Sequence, residues 1–261
     1  MDKIILSLAP IGNIKGKLDI DRLVDEVISC RRLGVSMVHL HVVDRFGKPT
    51  NNIEVFDSIV RKIKEIEDII IEGSTGGLSE LDARDRSICL EHPLIEASSL
   101  NMGSVNMGDE VYINKMPDIR WWAELIGKRG LSYQLEIFDL SMIYTAEELI
   151  QEGLISKDAI FNLCLGFDSA LPATQEILIT MVRSIPKGRR WGFIHHNFKD
   201  FRLISSAISL GATVIRVGRE DSGDPNRGNI ELVEKTVRLI REIGREIANV
   251  DEARLILGLK R

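Results

Sequence analysis

The chain has 261 residues, a formal net charge of -5, 44% hydrophobic residues and 28% charged residues. This is the composition of an ordinary globular protein, and its acidic balance excludes the basic field that nucleic-acid binding needs. No apolar run reaches the roughly 20 residues that span a bilayer. The apolar run at residues 4–8 is too short for a signal peptide and lacks a cleavage site, so we expect a cytoplasmic protein.

Short strands alternate with amphipathic helices along the chain. Apolar or β-branched runs predict eight strands, at residues 4–8, 37–42, 69–72, 97–100, 132–138, 159–165, 191–195 and 213–217. Helical spacing of apolar residues predicts helices at residues 20–34, 53–63, 81–90, 118–129, from 145 onward, and at 174–185, 198–210 and 230–247. A capping-box pattern at Asn249 and Glu252 predicts a last helix.

Eight strands that alternate with helices predict parallel pairing, and eight strands close a barrel. We therefore predict an α/β fold, a single-domain (β/α)8 TIM barrel over residues 1–261, since no linker, repeat or low-complexity tract marks a boundary. A doubly wound open sheet is the structural alternative. Cys30, Cys89 and Cys164 are widely spaced next to apolar residues, which predicts buried free thiols in a reducing cytosol.

His39 and His41 lie two residues apart in an apolar segment with strand character. Residues i and i+2 of a strand point to the same side, so both imidazoles can bind one metal ion. Neutral imidazole suits zinc, and also iron, nickel or copper. The alternative interpretation is a pair of partly buried, hydrogen-bonded histidines.

Glu220 and Asp221 directly follow the last predicted strand, where an α/β enzyme places its chemistry. Two histidines and one carboxylate with an open position form the ligand set of a catalytic zinc site. In a barrel, the ends of the second and eighth strands can reach one central point, as a site shared by His39, His41 and Glu220 requires. The alternative is that both acids are ordinary solvated loop residues.

A glycine-rich turn, residues 73–77, follows the third predicted strand. Glycines such as Gly76 let backbone N–H groups approach an anion closely, and Ser74 and Thr75 add hydroxyl donors. The turn therefore suits a substrate carboxylate or phosphate. The alternative is a tight turn that only precedes a helix.

Polar side chains also follow the fourth, fifth and seventh predicted strands. Ser99 and Asn101 end the fourth, and Glu136 lies near the end of the fifth; each is a candidate for the pocket wall or for a polar core. His195 and His196 end the seventh strand. Adjacent strand residues point to opposite faces, so at most one of these two faces inward, and we rank both below His39 and His41 as ligands.

These residues fall in blocks that resemble the β-keto acid cleavage enzymes, whose founding member is the 3-keto-5-aminohexanoate cleavage enzyme of lysine fermentation. The matching blocks are HLHVVD at 39–44 with GKP at 47–49, STGG at 74–77, SLNMGSVN at 99–106, EIFD at 136–139 and RVGRED at 216–221. Their order and spacing agree over nearly the whole chain, and the combination is specific although each block alone is not. The resemblance implies a zinc-dependent (β/α)8 barrel, a homo-oligomer (a tetramer), that converts a β-keto acid and acetyl-CoA into acetoacetate and a new CoA thioester.

The resemblance also implies roles for individual residues. His39, His41 and Glu220 would be the zinc ligands, and Arg216 and Asp221 a coupled pair that serves as the base. The substrate-binding residues would be Ser74, Ser99, Asn101 and Glu136, together with Thr75 and Gly76 of the glycine-rich turn. Zinc would act as a Lewis acid on the ketone. Arginine is normally protonated, so either Asp221 helps to take up the proton or Arg216 mainly orients the substrate. No redox cofactor is expected.

Two segments depart from the family pattern. The founding member has a glutamate in the loop after the first strand that supports the arginine–aspartate pair, whereas residues 9–15 form a shorter loop without an acid. After the seventh strand, residues 195–199 read HHNFK where the family often has a glycine-rich segment with an arginine. The first departure removes an acid that would support the proton relay of the arginine–aspartate pair. The second predicts a changed acyl pocket or a changed approach of CoA.

Two other functions stay open at the level of the sequence. One is a metal-dependent aldolase or hydrolase on the same barrel, which would not need acetyl-CoA. The other is a non-catalytic barrel whose metal site binds a small keto acid as a sensor. Acetoacetate formation that depends strictly on acetyl-CoA distinguishes the acyltransferase from an aldolase or hydrolase. Turnover of any β-keto acid excludes the non-catalytic sensor.

Overall fold

The computed structural model describes residues 3–12, 16–78, 80–224 and 226–259. The strands in this part of the chain are β1 (Ile5–Leu8), β2 (Met37–Leu40), β3 (Ile70–Gly73), β4 (Ala97–Asn101), β5 (Val105–Met107), β6 (Glu110–Tyr112), β7 (Ser132–Ile137), β8 (Ile160–Leu165), β9 (Arg190–His195) and β10 (Val214–Val217). The helices are α1 (Ile20–Leu33), α2 (Glu54–Ile66), α3 (Ala83–Arg86), α4 (Met116–Arg129), α5 (Leu140–Gln151), α6 (Gln175–Ser184), α7 (Arg202–Ser209), α8 (Asn229–Glu242) and α9 (Val250–Ile256), with a 3-10 helix at Ile88–Glu91.

Eight of these strands close into a parallel barrel in the order β1-β10-β9-β8-β7-β4-β3-β2. Each strand pairs in parallel with both neighbours, and β10 returns to β1 over the full length of β1. The structure therefore confirms the predicted (β/α)8 barrel, and the open-sheet alternative is wrong. All carboxyl ends of the strands meet at one face, where enzymes of this fold carry their active sites.

A β-hairpin follows the fourth barrel strand, in a segment for which the sequence predicts no strand. Strands β5 and β6 pair antiparallel, with Val105 opposite Tyr112 and Met107 opposite Glu110. Gly108 lies in the turn between them with a φ of +61°, a conformation that glycine adopts without steric cost. Each strand has only three residues, too few for an alternating pattern to be recognised in the sequence. The hairpin stands at the carboxyl-terminal face of the barrel.

Several predicted helix ends also shift, each for a local reason. Helix α5 begins at Leu140, earlier than the predicted residue 145, because the Asp139 side chain accepts a hydrogen bond from the backbone N–H of Ser141. Helix α8 ends at Glu242, before the predicted residue 247, because Gly244 adopts a φ of +83°. The predicted helix at 81–90 divides into α3 and the 3-10 helix. The capping box of Asn249 and Glu252 forms as predicted.

The amino-terminal end of the barrel is apolar and closed by the last helix. One buried cluster combines the first inward-facing residues of six strands with residues in and around α9: Ile5, Met37, Ile70, Ala97, Ile160, Val214, Ala248, Val250, Ala253 and Leu257. No helix among the described residues is long and apolar enough to cross a membrane. The three cysteines are free and buried, as predicted.

The middle of the barrel is polar. Asn162 Nδ2 donates to Gln134 Oε1 at 3.1 Å, and Gln134 Nε2 donates to Ser132 Oγ at 3.2 Å. Gly192 faces this chain of side chains, and a Cβ there would lie 2.1 Å from Asn162 Oδ1. The barrel interior thus changes from apolar at one end to hydrogen-bonded in the middle, and to charged at the carboxyl-terminal face.

Candidate active site

The two histidines and one acid predicted as metal ligands converge at the carboxyl-terminal face. His39 lies in β2 and His41 directly follows the strand. Their Nε2 atoms are 3.2 Å apart. Glu220 Oε1 lies 3.4 Å from His41 Nε2 and 3.8 Å from His39 Nε2. One ligand atom of each residue lies within 4.8 Å of the others. Tetrahedral zinc with bonds of about 2.05 Å separates its ligand atoms by about 3.3 Å, so the spacing suits such an ion.

A sharp turn after β10 brings Glu220 to this point. Gly218 has a φ of +154°, and a Cβ there would lie 2.0 Å from the carbonyl oxygen of Ala9. Without a side chain, the chain passes close to the end of β1, and the backbone N–H of Glu220 donates to the Ala9 carbonyl at 3.3 Å. Glycine at position 218 therefore allows the close approach that aims Glu220 at the two histidines.

Glu72 is a further member of the site that the sequence analysis did not single out. It pairs with His39 across β2 and β3, and its side chain is only 5% exposed. Its Oε1 lies 3.2 Å from Nδ1 of His39, within ion-pair distance, and Nδ1 has no hydrogen-bond partner among the described residues. A carboxylate at Nδ1 orients an imidazole so that Nε2 is free to bind a metal. The signal was an acid in an otherwise apolar strand.

Arg216 and Asp221 form a buried, two-pronged ion pair beside the ligands. Arg216 Nε donates to Asp221 Oδ2 at 3.0 Å and Nη2 to Oδ1 at 2.7 Å. Arg216 Nη2 also contacts Glu220 at 3.3 Å, and Nη1 contacts Glu136 at 3.5 Å. The predicted pair thus exists, and its arginine also reaches the candidate metal ligand Glu220 and the candidate pocket residue Glu136.

The charges in this cluster shift one another's protonation. Burial lowers the pKa of Arg216, but the acids around it more than offset this, so its pKa lies well above the usual range. Burial raises the pKa of Asp221 above its ordinary value, against the opposing effect of Arg216. Burial also acts to raise the pKa of Glu220, but His41 and Arg216 reverse this and lower it. Arg216 therefore stays protonated, and Glu220 stays ionised.

The glycine-rich turn already uses its backbone N–H groups. Those of Thr75, Gly76 and Gly77 donate to the hydroxyls of Ser99, Ser74 and Tyr112, at 3.2, 3.1 and 3.0 Å respectively. The Thr75 hydroxyl is also engaged, since it donates to the Ser99 carbonyl at 2.9 Å. An anion at this turn would therefore contact side-chain donors in place of the backbone N–H groups that we predicted.

Asn101 and Glu136 lie at neighbouring strand ends. Asn101 is fully buried, yet neither its Nδ2 nor its Oδ1 has a hydrogen-bond partner among the described residues. Burying an unsatisfied amide is costly, so such a group points to a missing partner. Burial raises the pKa of Glu136, with Arg216 acting in the opposite direction.

A row of aromatic rings leads from the hairpin to His196, which directly follows β9. The ring centroids of Tyr112, Phe138, Phe167 and His196 follow one another at 6.1, 5.2 and 4.2 Å, and His196 stacks flat on Phe167. Burial lowers the pKa of His195 to about 4. Both histidines lie outside the cluster of His39, His41 and Glu220. The loop after β1 holds no acid in residues 9–12, and residues 13–15 lie outside the described part of the chain.

The sequence model of the beta-keto acid cleavage enzyme family matches residues 3–259. The chain belongs to this family. It is 35% identical to a 3-keto-5-aminohexanoate cleavage enzyme of Fusobacterium nucleatum and 34% identical to one of Acetoanaerobium sticklandii, each over the full length of both chains. A 3-oxoadipate:acetyl-CoA acetyltransferase of Cupriavidus necator is 27% identical over 98% of this chain and 94% of its own. The chain is therefore a beta-keto acid cleavage enzyme.

Solved structures support the same fold. The ternary complex of ObcA with a C4-CoA adduct and oxalate superposes with a TM-score of 0.77 and 18% identity, over 93% of this chain and 67% of that chain. Its complex with oxaloacetate gives a TM-score of 0.77 over 94% of this chain. At this identity, the likeness is one of fold alone.

The position of Glu72 in this beta-keto acid cleavage enzyme makes a first prediction. If the candidate site binds added zinc, replacement of Glu72 by alanine should weaken that binding roughly 10- to 100-fold, because His39 loses the carboxylate beside it. Glu72→Gln should have a smaller effect, since its amide oxygen still accepts from Nδ1. Competition with a chromogenic chelator measures both affinities, and Glu65→Ala on the exposed face of α2 is the control. Unchanged affinity in Glu72→Ala would contradict the role of Glu72.

Proposed function

We propose that this chain is a zinc-dependent acyltransferase that converts a β-keto acid and acetyl-CoA into acetoacetate and a new acyl-CoA. The observation that carries the proposal is the convergence of His39, His41 and Glu220 within 4.8 Å, next to the buried pair of Arg216 and Asp221. The names of the relatives support the chemistry. They include a 3-keto-5-aminohexanoate cleavage enzyme and two enzymes that use acetyl-CoA, on 3-oxoadipate and on 3,5-dioxohexanoate.

In this proposal, His39, His41 and Glu220 would hold the metal. Zinc bound there would supply a Lewis acid that polarises the ketone and stabilises the charge that develops when the neighbouring carbon loses a proton. Two histidines and one carboxylate form a ligand set of catalytic zinc sites. Glu72 holds His39 in the orientation that this requires.

Asp221 is the proton acceptor in the proposal. Arg216 cannot accept a proton, because the surrounding acids keep it charged. The raised pKa of Asp221 makes its carboxylate a stronger base than a solvated one. Arg216 fixes the orientation of Asp221 through two hydrogen bonds and keeps a positive charge beside the reacting carbon. The pair thus needs no acid from the loop after β1 to be held in place.

The substrate lies between the glycine-rich turn and Glu136. Ser74, Ser99 and Asn101 bind the carboxylate end, while Thr75 and Gly76 shape the turn. The carbanion attacks the thioester carbonyl of acetyl-CoA, and CoA moves to the original acyl group. Cleavage of the original carbon–carbon bond then releases acetoacetate as a carbanion, which takes the proton back from Asp221. The acyl groups thus exchange, and no redox cofactor takes part.

The proposal extends to the assembly and the compartment. We infer a homo-oligomer, a tetramer as in the family, and a cytoplasmic location. Three buried free thiols are compatible with a reducing compartment. The sequence range 1–261 is then one catalytic domain.

A screen of β-keto acids tests the function directly. The purified zinc-loaded protein should form acetoacetate and a new CoA thioester from one of them, and only when acetyl-CoA is present. His39→Ala and His41→Ala should lose most bound metal, which elemental analysis measures. Turnover without acetyl-CoA would favour an aldolase or hydrolase, binding without turnover would favour a sensor, and full metal occupancy in the double variant would refute the metal site.

The arginine–aspartate pair gives a second test. Arg216→Lys should lose most activity, because a flexible ammonium cannot replace the planar fork that contacts Asp221 and Glu220. Asp221→Asn should lose a similar share of kcat while zinc stays bound, because Asp221 is not a ligand. Steady-state kinetics and metal analysis on the same samples measure this. Near-normal turnover in both variants would show that the pair is structural.

Glu136 should decide whether the preferred β-keto acid carries a positive charge. A hydrogen bond to a charged group contributes about 1.5–3 kcal/mol, or roughly 10- to 150-fold in discrimination. Glu136→Gln should therefore reduce kcat/KM for an amino-substituted β-keto acid far more than for a neutral one of equal length. Glu136 contacts Arg216, which also contacts the candidate metal ligand Glu220. The zinc content of Glu136→Gln is therefore measured in parallel. An equal loss on both substrates, or a wild-type preference for the neutral acid, would exclude charge recognition.

A further inference from the structure

Tyr112 brings a hydroxyl from the β5–β6 hairpin into the barrel mouth. The side chain is buried, and its oxygen accepts from the backbone N–H of Gly77 at 3.0 Å and from Arg86 Nη2 at 3.3 Å. No acceptor for its own proton is present among the described residues. A phenol that accepts from two donors, one of them charged, is polarised and becomes a stronger donor. Its O–H therefore needs an acceptor.

Arg86, which donates to the Tyr112 hydroxyl, is itself fixed by several other contacts. Its guanidinium donates to the backbone carbonyls of Thr75 and Ile113 at 3.1 and 2.8 Å, and to Asn114 Oδ1 at 2.7 Å. It also lies 5.2 Å from the ring centroid of Tyr112 and 4.7 Å from that of Trp122. All these acceptors are neutral, and no carboxylate forms an ion pair with Arg86 among the described residues. Its hydrogen bonds therefore go to neutral acceptors, although Glu80, Asp82, Glu110 and Asp118 line the same cavity.

Three polar side chains crowd the point at which a side chain on Gly76 would project. A Cβ on Gly76 would lie 2.6 Å from Tyr112 Oη, 3.2 Å from Asn101 Nδ2 and 3.4 Å from Ser74 Oγ. Asn101 is the buried amide without a partner, so a donor here lacks an acceptor. The next residue, Gly77, would place a Cβ 3.8 Å from the ring of His41, so this space adjoins the metal ligands.

Donors without an acceptor favour an anion at this corner. Glu220 and Asp221 pair with Arg216, which also contacts Glu136 at the strand end next to Asn101. Arg216 thus offsets these acids, whereas the Tyr112 hydroxyl and the Asn101 amide have no acceptor for their hydrogens among the described residues. A carboxylate oxygen offers several lone pairs and can accept from more than one donor at once.

We propose that Tyr112 donates its O–H to the carboxylate of the β-keto acid, alongside Ser74 and Asn101, and that Arg86 is a positioning residue for Tyr112. The inference rests on the proposed function, because it takes the keto acid as the ligand of this site. It adds a recognition group from the inserted hairpin, outside the barrel strands. Tyr112 thereby favours substrates with a free carboxylate over neutral ketones.

The test compares acetoacetate with its neutral amide, acetoacetamide, by calorimetric titration of the zinc-loaded protein. Tyr112→Phe should weaken acetoacetate binding roughly 10- to 150-fold, the loss of a hydrogen bond to a charged group, and leave acetoacetamide within about 2-fold. In kinetics, the variant should raise the KM of the keto acid and leave the KM of acetyl-CoA unchanged.

Two further variants separate recognition from structure. Tyr133→Phe is the matched control, because the buried Tyr133 hydroxyl donates to the Ala123 carbonyl at 2.8 Å, behind the barrel. It should lower the melting temperature without changing acetoacetate affinity. Arg86→Lys keeps a charge but loses the planar guanidinium that holds Tyr112. It should weaken acetoacetate binding less than Tyr112→Phe does, and again more than it weakens acetoacetamide binding.

The outcomes are distinct. Equal weakening of acid and amide in Tyr112→Phe, or no weakening of either, overturns the proposal. If the wild type turns over no β-keto acid with acetyl-CoA, the proposed function fails. The calorimetric comparison of acid and amide still measures the contribution of Tyr112 in that case, so the two failures are separate observations.

Discussion

The buried guanidinium of Arg216 holds the acids of the barrel mouth together. It donates to both oxygens of Asp221 and reaches Glu220 and Glu136, acids that approach from different strands. Without a central cation, these carboxylates could not all stay ionised in a buried site. Arg216 lies on the last barrel strand, so the closing of β10 against β1 and β9 is what delivers it to the centre. The contacts of Glu220, Asp221 and Glu136 with one guanidinium all depend on that position.

The opposite wall depends on a different cation. Arg86 ties the glycine-rich turn to the hairpin through the Thr75 and Ile113 carbonyls and carries Tyr112 with it. The two walls differ in their partners: carboxylates surround Arg216, whereas Arg86 donates to neutral acceptors. In the proposed function, this difference would direct the carboxylate of a β-keto acid toward Tyr112. The candidate metal ligands lie between the two walls, where the proposed function places the ketone.

Much of the site followed from local rules. His39 and His41 share a face because strand side chains alternate, and Glu220 follows the last strand because the barrel places chemistry at carboxyl ends. Glu72 was not predicted as a site residue, because a single acid in an apolar strand carries no pattern of its own. The hairpin was not predicted, because strands of three residues show no period. The contact of Glu136 with Arg216 joins residues 80 positions apart, and no local pattern encodes it.

The sequence by itself determined the barrel, the same-face histidines and the order of the blocks that resemble the family, because these follow from the periodicity of single elements and from motif spacing. The tertiary structure alone decided which groups meet. The register of β2 against β3 places Glu72 opposite His39, and the folding of the hairpin over the turn brings Tyr112 to Gly76. Periodicity fixes the face on which a side chain lies, whereas register, closure and turns fix its distance from side chains on other elements.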